Sequence, residues 1–321
     1  MTKIVFVSDF FADEIIGGAE LTTQALVEAC PFEYVRIKSK DVTIQELQQY
    51  QTAYWIFGNF TGLDHNLIPT LVGNVRYSVL EYDYKFCKYR SIEKHEHEAK
   101  EACDCHETKL GKLISAFYYG SDQLFWMSSA QEQRYLERFP FLEFKGRVLG
   151  SVFSKEDLKR LDFLKEGANK DPWLVQKSNS WIKGTDDAIA WCKEENKEYE
   201  TFEGLSRTKL LNKMYNSQGF CFLPRGGDTC PRVVIEAKIL GCELKLNRNV
   251  QHANEAWFAQ GTPDTMLAHL KSLPDRFWND INKRMDITST VGAYTTTYNC
   301  ISQGYPFEEC INSLKSNFDE V

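Results

Sequence analysis

Gly219 to Leu246, GFCFLPRGGDTCPRVVIEAKILGCELKL, is the stretch that decides the fold. Phe220 to Leu223 is a short apolar run bounded by Pro224 and the pair Gly226 and Gly227, and it reads as a buried strand. Pro231 suits a first helical turn, and Val233, Val234, Ala237 and Leu240 recur at helical spacing up to Gly241. Glu243 to Leu246 is a second strand. Strand, loop, helix and strand make one unit of a parallel α/β sheet, in which ligands collect at the carboxyl ends of the strands. That end carries Arg225, two glycines, Asp228 and a helix start. Free amides near Thr229 to Val233 suit an anion such as a diphosphate, and Glu236, a turn and a half on, could accept from a sugar hydroxyl. The bare segment reads equally well as a turn, a cap at Asp228 or Thr229, and a surface Glu.

In this chain an acidic residue, seven others and then Glu-Ala run as Asp228-Thr-Cys-Pro-Arg-Val-Val-Ile-Glu236, with a Gly near the helix end. The pattern resembles the signature of retaining GT-B glycosyltransferases, specifically the sucrose-synthase-like family four (glycosyltransferase group 1). The family usually has Glu first, so Asp228 keeps the charge and shortens the reach by one methylene. The resemblance implies an α/β protein with two Rossmann-like lobes whose parallel sheets face each other across a cleft. Residues 1–152 would be the acceptor-side lobe, with a Cys/His-rich insertion near 84–112, and 153–290 the nucleotide-sugar lobe. Residues 291–321 would form a helical segment crossing back to the first lobe, with Phe307 to Phe318 as its helix.

A length of 321 residues with 43% hydrophobic composition suffices for one large core or two ordinary ones. No apolar run is long enough to cross a bilayer, and MTKIVFVSDFF has no secretory signal, so a cytoplasmic location is expected. A net charge of −7 argues against nucleic acid as a partner. Ten cysteines without a signal peptide point to reduced thiols or a metal site.

Lys3 to Ser8 is an opening strand, and Gly17-Gly18 precedes the stripe Leu21, Ala25, Leu26 and Ala29, so a phosphate could approach the backbone there. This resembles the GGAE-type loop that faces the donor diphosphate in family-four enzymes. Phe32 to Lys38, Ala53 to Phe57 and Val75 to Glu81 read as further strands. Relatives hold a His near the last of these ends; none stands here, and Asp83 is the nearest polar substitute. His65 is a lone histidine in a connecting loop. Ala116 to Ser128 reads as a strand, Ala130 to Arg138 as a helix, and Arg147 to Phe153 as the last strand of the first lobe.

Pro172 to Lys177 opens the second lobe. Lys183-Gly184 before a helix resembles the family's Lys-Gly, with Lys177 in place of its Arg, so both lysines would neutralise the leaving diphosphate. The turn Gly204-Leu205 falls where relatives hold the nucleotide base. The resemblance thus assigns catalysis to Asp228, Lys183 and Glu236. It assigns nucleotide contacts to Gly17, Gly18, Lys177, Lys183, Gly204, Leu205, Thr229, Cys230, Arg232, Val233 and Glu236. Thr265 to Leu273 and Pro274 to Met285 read as two helical segments.

The insertion DYKFCKYRSIEKHEHEAKEACDCHETKLGK gathers Cys87, His95, His97, Cys103, Cys105 and His106 within twenty positions. Four of them suffice for tetrahedral zinc, for which Cys87, His95, Cys103 and Cys105 are taken, with His97 or His106 open as replacements for His95. The spacing matches no common zinc finger, and three clustered cysteines are too few for usual iron–sulfur ligation. Such a zinc would be structural; otherwise these are reduced cysteines and solvated histidines on a charged loop.

The implied activity is transfer of a hexosyl or related sugar from a nucleotide diphosphate sugar to a hydroxyl of a glycan, lipid or small molecule, with retention and no cofactor required. The alternative on the same fold is a non-catalytic nucleotide-sugar or glycan binder. A nicotinamide-dependent oxidoreductase ranks last, because no GxGxxG follows the first strand.

Overall fold

The computed structural model describes residues 3–165, 167 and 172–286. The first sheet contains β1 (Lys3–Ser8), β2 (Glu33–Lys38), β3 (Tyr54–Phe57), β4 (Arg76–Glu81), β5 (Gln123–Trp126) and β6 (Gly146–Val148). All pair in parallel, in the order β2-β1-β3-β4-β5-β6. Its helices are α1 (Gly18–Glu28), α2 (Ile44–Gln49), α3 (Ile68–Asn74), α4 (Ile92–Ala99), α5 (Lys109–Gly120) and α6 (Ser129–Leu136). After α7 (Lys155–Leu164) comes the second sheet, β7 (Trp173–Gln176), β8 (Tyr199–Phe202), β9 (Gly219–Phe222) and β10 (Glu243–Leu246), parallel in the order β10-β9-β7-β8. The remaining helices are α8 (Thr185–Glu194), α9 (Arg207–Tyr215), α10 (Arg232–Ile239), α11 (Ala256–Ala259) and α12 (Pro263–Asp286).

Central strands are apolar along their length because helices cover both faces: Ile4 to Val7 in β1 and Trp55 to Phe57 in β3 have no exposed surface. In each sheet the strand order reverses once, between β1 and β3 and between β7 and β9. A crevice opens beside the carboxyl ends of the strands at such a point. The two carboxyl edges face each other, giving the two-lobed GT-B arrangement. Hydrogen bonds join them: Thr229 Oγ1 donates to the Tyr82 carbonyl at 2.7 Å and Ser151 Oγ to the Cys230 carbonyl at 2.6 Å.

Three expectations from the sequence need correction. Ala116 to Ser128 is not one strand, because α5 runs to Gly120 and only Gln123–Trp126 is extended. Its aromatics suggested β propensity, yet Ile114, Phe117 and Tyr118 follow helical spacing and are buried together, and Thr108 caps the helix by accepting from the Gly111 amide at 3.2 Å. Arg147 to Phe153 keeps strand pairing only through Val148; beyond it the chain crosses to the second lobe, with Gly150 at φ +82°.

The third concerns the two helical segments read over 265–285. Phe307 to Phe318, with the rest of 291–321, lies outside the described residues. Among the described residues α12 makes the crossing, as one 24-residue helix with Pro274 inside it rather than two segments. Its second half packs on the first lobe: Phe277 lies 4.7 Å from the Phe125 ring, and Trp278 Nε1 donates to the Leu26 carbonyl at 3.1 Å. Among the described residues no helix is long and apolar enough to cross a membrane.

Candidate active site

A cleft of about 520 Å³ lies between the two switch points. From the first lobe it is lined by Gly17 and Gly18, and from the β7 and β8 ends by Lys177, Lys183, Gly204 and Leu205. Asp228, Thr229, Cys230, Arg232, Val233 and Glu236 complete the opposite wall. The twelve residues singled out in the sequence thus share one hollow. Gly17 is the N-cap of α1, so the first amides of that helix have no intrahelical acceptor and start at the cleft.

Lys183 ends a 3-10 turn, Trp181–Lys183, whose next residue is Gly184 at φ +62°. A Cβ there would fall 1.9 Å from the Leu223 carbonyl oxygen, so only glycine lets the turn lie against the end of β9. This closeness brings Lys183 Nζ to 2.6 Å from Asp228 Oδ2. The Asp228 backbone is held on its other side, its amide donating to the Asn249 carbonyl at 2.8 Å and its carbonyl accepting from Gln251 N at 3.0 Å. Lys177 pairs with Glu203 at 2.7 Å on the outer rim.

Helix α10 begins at Arg232, with Pro231 as its N-cap. The alternative of a simple cap at Asp228 or Thr229 therefore fails: Thr229 donates across the cleft to Tyr82, and Asp228 faces Lys183. The Cys230 thiol is pushed up to about 12 by burial and stays neutral.

Glu236 is not a surface residue. It is fully buried, with Oε2 at 2.6 Å from Arg207 Nη1 and Oε1 at 3.9 Å from Arg232 Nε. Asp157 completes the group, 3.0 Å from Arg207 and 3.0 Å from Arg232. Burial pushes Arg232 down to about 10, opposed by the Glu236 charge. Burial acts the same way on Arg207, but Glu236 and Asp157 outweigh it and raise its pKa above the ordinary value. Arg207 lines the cleft and was missed as a site residue. One signal existed: a cation at a helix start opposes the helix dipole and implies a nearby acid.

Asp83 and His65 are not among the residues lining the cleft. Asp83 instead pairs with Arg90 and, at 3.6 Å, with Lys85.

Elsewhere in the first lobe, Cys87, His95, Cys103 and Cys105 converge, their ligand atoms all within 4.8 Å of one another. All four are buried in the core of the first lobe, against the expectation of solvated histidines on a charged loop. Among the described residues the group does not include His97 or His106: His97 stacks on Trp181, and His106 lies edge-on to Phe139. Gly111 lets α5 sit on the Cys105 turn, since a Cβ there would lie 2.1 Å from the Cys105 carbonyl oxygen.

No family model and no curated protein matches the chain. Solved structures do. The apo lipopolysaccharide outer core galactosyltransferase WaaB is 10% identical, with 88% of this chain and 100% of that chain covered and a TM-score of 0.47. HepE from Anabaena in complex with UDP and glucose is 13% identical over 100% of both chains, with a TM-score of 0.47. An alpha-glucosyltransferase in complex with UDP and a 13-mer DNA containing a HMU base is 10% identical over 99% and 98%, with a TM-score of 0.44. At these values the likenesses say nothing of this chain's activity, and the fold stands on its own two sheets.

Proposed function

We propose that the cleft transfers a sugar, a hexose or a related one, from a nucleotide diphosphate sugar to a hydroxyl acceptor with retention at the anomeric carbon. The observation that carries this reading is the convergence of two switch points, each with a helix start, on one hollow that also holds Lys183, Asp228 and Glu236.

As the anomeric C–O bond breaks, its electron pair leaves with the diphosphate. Lys183 and the free amides at the starts of α1 and α10 meet the growing negative charge. The acceptor hydroxyl enters on the same face, and its proton passes to the departing phosphate oxygen. Asp228, released from Lys183, orients the sugar, and Glu236, backed by Arg207, accepts from the ribose. Lysine and amide groups do the neutralising, so the scheme calls for no cofactor.

The acceptor is a glycan, lipid or small molecule, since the net charge of −7 disfavours nucleic acid. None of the eight described cysteines is in a disulfide, which supports the cytoplasm. We also read Cys87, His95, Cys103 and Cys105 as a structural zinc site, which their mutual proximity and burial support.

Thermal-shift measurements with UDP, GDP, ADP and CDP test the reading. One diphosphate at a hundred times its Kd is expected to stabilise the protein by about 2.7 kcal/mol. A donor panel then reads released diphosphate. Affinity without release would make the protein a binder, and no stabilisation by any diphosphate would sink both.

A further inference from the structure

We infer that a zinc ion bound by Cys87, His95, Cys103 and Cys105 braces α4 as a strut between the lobes, and that Glu93 and His97 on this strut position the loops bearing Lys183 and Asp228. The inference rests on the reading of the cleft as a nucleotide-sugar site and of the cluster as a zinc site.

The cluster has the dimensions of a tetrahedral site. Cys87 and Cys103 sulfurs are 3.7 Å apart, and His95 Nδ1 lies 3.2 Å from the Cys105 sulfur and 3.8 Å from that of Cys87. Zinc with Zn–S near 2.3 Å and Zn–N near 2.0 Å has edges of about 3.8 Å between sulfurs and about 3.5 Å from sulfur to nitrogen. A disulfide between Cys87 and Cys103 would need about 2.05 Å. Three sulfurs and one imidazole also form a closed ligand set, which leaves no open position for catalysis.

The ligands come from three separate pieces of chain. Cys87 lies in the turn after β4, where its amide donates to the Tyr84 carbonyl at 2.9 Å; His95 is on α4, and Cys103 and Cys105 lead into α5. Helix α4, sequence IEKHEHEA, buries only Ile92 and His95. Eight residues with so little apolar surface do not hold a helix by themselves. An ion tying His95 to the segments before and after α4 supplies the missing constraint.

Other side chains of α4 reach the second lobe. Glu93 Oε2 accepts from the Gly227 amide at 3.0 Å, while Oε1 pairs with Arg134 at 2.5 Å. The His97 ring stacks on Trp181 with centroids 4.6 Å apart and planes 22° apart. Gly227 immediately precedes Asp228, and Trp181 stands two residues before Lys183. The strut therefore grips both loops within two residues of the ion pair that lines the cleft. Glu93 and His97 lie outside the cleft lining, so they are positioning residues.

The test uses the full chain. Elemental analysis is expected to find one zinc per chain. Glu93→Ala and His97→Ala are expected to keep that zinc while weakening the stabilising nucleoside diphosphate by up to about tenfold, the size of losing one net hydrogen bond. Glu93→Gln, whose amide oxygen still accepts from Gly227, and His97→Phe, which still stacks, are expected to restore most of the affinity. Hydrogen exchange over residues 181–183 and 225–229 should rise when zinc is removed by a chelator, and this readout requires no nucleotide. Folded protein without zinc, or a Cys87–Cys103 disulfide in the mass spectrum, would overturn the metal. Zinc-bearing protein whose exchange in both loops ignores chelation and both alanine variants would overturn the strut. Wild-type protein that binds no diphosphate but shows the exchange response would overturn the cleft reading alone.

Discussion

Lys183 and Asp228 are each other's counterion: Nζ and Oδ2 stand 2.6 Å apart, with the lysine side chain 32% and the aspartate 13% exposed. Two groups that the proposed mechanism assigns to different parts of a donor thus hold one another. Under the proposed function, a diphosphate at Lys183 would exchange this contact for one to phosphate and free the carboxylate for the sugar.

The two partners should consequently fail in different ways. Lys183→Ala is expected to weaken diphosphate binding and to lower kcat/KM by about a hundredfold or more, the usual consequence of removing one preorganised charge contact. Asp228→Asn is expected to bind diphosphate at least as tightly as the wild type, because Lys183 is no longer engaged, while kcat falls about a hundredfold. Calorimetry with the diphosphate beside a turnover assay separates the two; loss of affinity in Asp228→Asn would refute the exchange.

Glu236→Ala is a poor probe of ribose binding because it leaves Arg207 and Arg232 without their shared acid. Breaking a buried charge group by removing one partner costs about 3–5 kcal/mol, so urea unfolding should show a large loss of stability. Glu236→Gln keeps the volume and one acceptor and should lose less stability, while still weakening the nucleotide. A Glu236→Ala protein as stable as the wild type would show that the network of Asp157, Arg207 and Arg232 needs no fourth member.

Gly184→Ala places a methyl group 1.9 Å from the Leu223 carbonyl oxygen at a left-handed φ. The turn must move, and Lys183 moves with it. The expected outcome is weaker diphosphate binding and a destabilisation of about 1–2 kcal/mol. Unchanged calorimetric affinity would show that the turn has room to spare.

His252 gives the protein an acid sensitivity away from the cleft. Its ring is fully buried against Trp257 and Phe258, neither nitrogen has a hydrogen-bond partner among the described residues, and burial, with some help from Lys238, lowers its pKa to about 3. Between about pH 6.5 and 3 the unfolded chain binds a proton that the folded chain refuses, so stability falls as pH drops through that window. His252→Phe keeps the ring packing and removes the titration. Denaturant midpoints from pH 7 to 4 should fall less steeply in this variant; parallel curves would refute the assignment.

Strands β1, β3, β4, β7 and β9 were legible because a parallel strand covered on both faces reads as an apolar run. The shared cleft was legible where residues stand at strand ends in motifs resembling those of the family, as with Gly17, Lys183 and Asp228. What escaped depended on residues far apart in sequence. Glu236 was read as a ribose acceptor, but its burial against Arg207 was not legible, because Arg207 and the Asp157 that shares it come from other helices. The grip of Glu93 on Gly227 spans 134 positions and has no local periodicity. Helix α5 was misread because aromatic residues suit strands and buried helix faces equally well, and only the spacing of Ile114, Phe117 and Tyr118 separates the two.

Helix α12 has a further consequence for how the lobes can move. Its first half is fastened to the second lobe, with His269 stacked 4.6 Å from Trp257 and Lys271 paired with Asp162 at 3.1 Å, and its second half to the first lobe through Phe277, Trp278 and Arg284. Between these grips sits Pro274, which has no amide hydrogen to offer the Leu270 carbonyl. The clasp is therefore softest at its midpoint, and any swing of one lobe against the other would bend it there, much as a bow bends at a notch, while each end keeps its hold.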